Sequence, residues 1–111
     1  MGLERMMTAE EFVRLCADEK KRILDSYFDP KRETAVGERI RSLTDAGVSA
    51  DALYALLDEA LCDNYYNLLL ALDGEASLGG VVQEYKLYSE NGELINPCGE
   101  LEQSAFEAFM E

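Results

Sequence analysis

The alternation of apolar and polar positions divides the chain into stretches of helical period and one segment of a different period. From Phe12 to Phe28 apolar side chains recur at three- and four-residue spacing, at Phe12, Leu15, Cys16, Ile23, Leu24, Tyr27 and Phe28, an amphipathic helix pattern interrupted only at Glu19 and Lys20. Thr8-Ala-Glu-Glu11 stands ahead of it in capping-box form. Asp29-Pro30 closes it, because the residue before a proline is pushed out of helical backbone. A second helix is predicted from about Glu33 to Ala46, with Val36, Ile40 and Leu43 inward and Gly47 as its stop. Ser49 can cap a third, from Ala50 to about Leu61, with Val48 and Leu53 in the places of a hydrophobic staple. Its inward positions are Leu53, Leu56, Leu57, Ala60 and Leu61. The joint Gly47-Val48 is so short that helices two and three must be antiparallel neighbours or meet at a sharp corner.

The stretch from Asp63 to Gly74 is the most apolar. Tyr65 to Leu72 are aromatic or aliphatic except for Asn67, so a helix there is apolar around most of its circumference and is expected to be central. Asp63 can cap its start and Gly74 its end; nothing forbids the third helix from running through, and continuity is expected. After Gly74 the period changes to two. Val81, Tyr85 and Leu87 fall on one side and Val82, Glu84, Lys86 and Tyr88 on the other, with Asn91-Gly92 as a turn and Pro97 ending the return. A three-residue turn is preferred, since a two-residue turn sets Glu90 against Glu93. From Gly99 to Met110 the pattern is again amphipathic. The expected fold is therefore one α+β domain over residues 1–111, mainly α. It comprises three to four helices around a central apolar helix at about 63–73, a β-hairpin at about 81–96 and a C-terminal helix.

Composition narrows the possible chemistry. A chain of 111 residues supports one domain with its own core. No run reaches the roughly 20 apolar residues that span a bilayer. The first residues lack the apolar core of a signal peptide, and Met6 stands where myristoylation of Gly2 needs Ser or Thr, so a cytoplasmic location is expected. Cys16, Cys62 and Cys98 are widely separated and expected to be reduced, the first two as small buried hydrophobes. The chain has no histidine, which removes the commonest general base and the commonest metal ligand together. Nucleophilic triads, dinucleotide-binding fingerprints and phosphate loops are absent, so no catalytic residue and no cofactor is expected.

Charge is the strongest functional signal. The net charge is −13, and residues 1–42 carry nine bases and nine acids. Residues 43–111 carry fourteen acids and one base, Lys86, so the whole excess lies there. Such a field repels phosphate backbones and anionic membranes and attracts basic surfaces. Neither nucleic acid nor a membrane is an expected partner; a basic protein is. The Lys20-Lys21-Arg22 run, beside Asp18, Glu19 and Asp25, reads as a solvated helix face. Asp58, Glu59 and Asp63 fall within a turn and a half of helix, and Glu59 and Asp63 repel unless a cation or basic partner joins them. Asp73, Glu75, Ser77 and Glu84 match positions 1, 3, 5 and 12 of a calcium loop, but Leu78 stands where its glycine belongs. The partner-binding candidates are thus Asp58, Glu59, Asp63, Asp73, Glu75 and Glu84. Two further readings use the same carboxylates: a divalent-metal binder or small metal-dependent enzyme, and an acidic regulator that mimics nucleic acid.

The block Asp63-Asn-Tyr-Tyr-Asn-Leu-Leu-Leu-Ala-Leu-Asp-Gly, continuing through Ser77-Leu-Gly-Gly, Tyr85-Lys-Leu-Tyr and Glu90-Asn-Gly, resembles small acidic bacterial proteins grouped with the immunity proteins of toxin systems. The resemblance covers about the C-terminal half and rests on no diagnostic motif. It implies a non-enzymatic antidote that neutralises a basic, nuclease-type toxin by binding it, and it implies no individual site residues.

Overall fold

The computed structural model describes residues 7–111, and the expectations at Gly2 and Met6 lie outside them. Four helices follow in order: α1 (Ala9–Phe28), α2 (Ala35–Asp45), α3 (Ala50–Leu72) and α4 (Glu100–Phe109). The first three begin on hydroxyl caps. Thr8 Oγ1 accepts from Glu11 N–H at 3.1 Å, Thr34 Oγ1 from Gly37 N–H at 2.8 Å and Ser49 Oγ from Ala52 N–H at 3.2 Å. The second cap moves the start of α2 from Glu33 to Ala35. Helix α3 is continuous for 23 residues, so Asp63 lies within it and caps nothing. Gly74 follows its C-cap with φ +78°, a backbone state open to glycine at little cost.

Helices α1 and α3 lie side by side in opposite directions. Val13 of α1 belongs to one buried cluster with Leu69 of α3; further along α1, Lys20 reaches Asp58 and Asp25 meets Tyr54. Helix α4 packs across both, and its Leu101 and Ala105 complete a core with Ala9, Val13 and Leu69. Leu24, Leu101 and Val13 are the largest fully buried side chains, each worth about 1.5–3 kcal/mol in burial. At the opposite end α2 lies against α1, burying Ile40 and setting Gly37 against the Tyr27 carbonyl. A Cβ at Gly37 would stand 3.0 Å from that oxygen and 2.8 Å from its own cap hydroxyl, so the helix approaches closely because no side chain intervenes.

The expected β-hairpin does not form: among the described residues there is no strand or sheet, only isolated antiparallel bridges at Leu78–Val81 and Tyr88–Leu94. The α+β expectation is therefore corrected to a four-helix, all-helical architecture with an irregular connection from Gly74 to Gly99. The cause is Asn96, 3% exposed. Its Oδ1 accepts the Leu87 N–H at 2.7 Å and its Nδ2 donates to the Tyr85 carbonyl at 2.7 Å. The Tyr85 N–H, in turn, donates to the Leu72 carbonyl at the end of α3. Backbone groups that a ladder would pair are taken by one side-chain amide and one helix end, and pairing survives only around the turn, where Ser89 N–H donates to Glu93 and Ile95 N–H to Leu87.

The helix expected to be central is only partly so. Within α3, only Leu69 and Ala71 are fully buried, and the N-terminal half keeps one apolar side in solvent. The radius of gyration is 17.0 Å, against about 13 Å for a compact chain of this length, with extents of 51 × 41 × 24 Å. The molecule is a thin slab, and a slab has outer faces that no second layer covers.

Candidate functional site

The six candidate carboxylates fall into three situations. Asp58 points from α3 toward α1, where its Oδ1 meets Lys20 Nζ at 2.6 Å, and Lys20 also donates to Cys62 Sγ at 3.3 Å. Desolvation alone would lower the Lys20 pKa, but the hydrogen bonds to Asp58 and Cys62 outweigh it and hold it above the usual lysine range. Asp58 is thus an interhelical ion pair first and a surface acid second.

Asp73 is inside the protein. It is 9% exposed, and its Oδ1 accepts from Asn96 Nδ2 at 3.3 Å while Oδ2 accepts from the Glu102 backbone N–H at 2.9 Å. Gly99, the N-cap residue of α4, has no side chain to offer, so Asp73 supplies the cap from the far end of α3. That role excludes it from a docking surface and occupies position 1 of the calcium-loop match. Among the described residues no group of three or more His, Cys, Asp or Glu could hold a metal ion.

The other four, Glu59, Asp63, Glu75 and Glu84, are exposed. Among the described residues none of their carboxylates takes part in an ion pair or hydrogen bond. Glu59 and Asp63 stand one turn apart on a flank of α3, off the side that carries Asp58 and Cys62 toward α1. Glu75 follows Gly74 directly, and the Glu84 backbone packs against Gly74 at ordinary van der Waals distance, a Cβ built there lying 3.4 Å from Glu84 Cα. Ten residues separate Asp63 from Asp73, about 15 Å along the helix, so the exposed acids form two groups, Glu59 with Asp63 on α3 and Glu75 with Glu84 beyond its C-terminal end, rather than a single cluster.

The bases of α1 are matched within the chain, Arg14 by Glu11 at 3.5 Å and Lys20 by Asp58. Lys21 pairs with Asp25 at 2.9 Å and Arg22 with Glu19, both on the surface of α1. Hydrogen bonding to these cations lowers the Glu19 and Asp25 pKa values below the usual carboxylate range. Tyr65 stacks on Phe109 at 5.9 Å, and burial pushes its phenol up.

Reasoning from the sequence did not single out Asn96 or the Lys20–Asp58 pair. A buried amide carries no periodic signature, and an ion pair between residues 38 apart needs the α1/α3 register to be known. Comparison with protein-family models, curated proteins and solved structures returns no match. No helix among the described residues is long and apolar enough to cross a membrane.

Proposed function

We propose that this chain is a non-enzymatic docking module whose acidic edge binds a basic protein partner. The reading is carried by one observation: Glu59, Asp63, Glu75 and Glu84 are exposed carboxylates that the chain leaves without a cation, while the bases of α1 are neutralised within it. Like charges held one turn apart cost stability, so a fold that keeps them uncompensated gains when a cationic surface arrives. The resemblance to immunity proteins makes a nuclease-type toxin the first partner to seek, its phosphate-binding surface being the basic face that carboxylates can occupy.

The test uses the chain as bait in extract of its native host, beside a variant with Glu59→Gln, Asp63→Asn, Glu75→Gln and Glu84→Gln. A basic protein retained by the first and lost by the second supports the reading. Equal retention by both contradicts it.

A further inference from the structure

The acidic edge borders a stripe of α3 that carries exposed leucines beside asparagines. At 100° per residue, Leu53, Leu56, Ala60, Asn64 and Asn67 share the side of α3 opposite α1, with Leu68 at one margin and Glu59 and Asp63 at the other. Leu56 is 60% exposed and Leu68 42%, high values for leucines on a helix whose other side is packed. The stripe runs about 22 Å, some four helical turns, and ends in a shallow hollow of about 160 Å³ between α3 and the following connection. Leu68 and Leu78 form its apolar walls, and Asn64, Asn67 and Ser77 its polar rim. Glu75 lies just beyond, on the same connection.

From this arrangement we infer that the basic partner contributes an amphipathic helix that lies along α3. Its apolar residues cover Leu53, Leu56, Ala60 and Leu68, one of them filling the hollow beside Leu78, while its Lys or Arg side chains reach Glu59, Asp63 and Glu75. A groove of this kind reads anchors spaced three and four apart. Charge selects the occupant: a second copy seated on the same stripe would set one acidic margin against another in a pair of chains each carrying −13. A cationic helix meets the same margin with opposite sign. The inference rests on the docking reading above and adds that the contact is half apolar.

The experiment uses two fluorescent peptides of about eighteen residues, both of Leu and Lys in equal composition. One has Leu at helical spacing, the other in an order that gives a helix no apolar side. The helical-period peptide is expected to bind the intact chain at least about tenfold more tightly than its isomer. Leu56→Ser and Leu68→Ser, which leave the charge unchanged and alter exposed positions, are each expected to weaken it several-fold with an unchanged circular dichroism spectrum. Equal binding of the two peptides, or no effect of either substitution, overturns the helix inference while leaving electrostatic docking intact. Unchanged binding on Glu59→Gln with Asp63→Asn overturns the docking reading itself. Absence of binding by either peptide overturns the inference, as does a sedimenting mass of twice 12.4 kDa that Leu56→Ser returns to monomer, because a second copy then covers the stripe.

Discussion

Asp73 Oδ2 accepts the backbone N–H of Glu102 at 2.9 Å, so the residue that ends α3 also caps the start of α4. A local cap would hold only one helix; this one fixes the angle between two. Asp73→Ala removes both that bond and the partner of Asn96, and is expected to destabilise the fold by about 2 kcal/mol in urea unfolding. Asp73→Asn keeps an accepting oxygen and should lose less.

Asn96 joins four groups at once: the Leu87 N–H, the Tyr85 and Leu72 carbonyls and the Asp73 carboxylate. Asn96→Ala leaves the first two without their partner and is expected to cost about 2–3 kcal/mol. The distinguishing readout is local. Hydrogen exchange at the Leu87 amide should accelerate at least about tenfold, beyond the change in α1. In a double-mutant cycle with Asp73→Ala the two losses should fall short of additive, since each substitution breaks the same 3.3 Å contact.

These two residues mark where the fold was and was not legible in the sequence. Thr8, Ser49, Gly47 and Gly74 delimit helices through chemistry that acts within four residues, and pattern reading finds such signals. The segment from Val81 to Tyr88 has the period of a strand, and Tyr85 and Leu87 do turn partly inward, but period says nothing of what the backbone bonds to. Asn96, from the return segment, competes for those bonds with a side chain of matching donors and acceptors. Similarly, the candidate acids were legible as residues and not as surfaces. Asp73 looks like Glu75 in the sequence, and only the position of α4 decides that one is buried and the other is not.

The acidic edge implies a conflict between stability and binding. Glu59→Lys replaces repulsion toward Asp63 by attraction and is expected to raise stability by about 0.5 kcal/mol, seen as a higher urea midpoint. The same variant should bind the basic partner more weakly. A substitution that stabilises the fold and impairs association is the signature of a residue kept for its surface role.

At alkaline pH the fold should weaken. Burial raises the Cys16 and Tyr65 pKa values, and Lys20 is raised through Asp58 and Cys62, so in each case the folded chain holds its proton more tightly than the unfolded one. Their contribution is complete below the unfolded values and is lost as pH rises through the folded ones. The melting temperature is expected to fall progressively above about pH 8.5, with a shallower decline for Cys16→Ala and for Tyr65→Phe. A flat or rising profile to about pH 11 would contradict this assignment.

The decisive quantity is the association rate constant between the chain and the basic protein it captures, followed against salt by stopped flow. Uncompensated carboxylates at Glu59, Asp63, Glu75 and Glu84 predict a rate that falls steeply as ionic strength rises, and one that drops about tenfold at low salt when all four are neutralised to Gln or Asn. A rate indifferent both to salt and to those four substitutions would contradict the account.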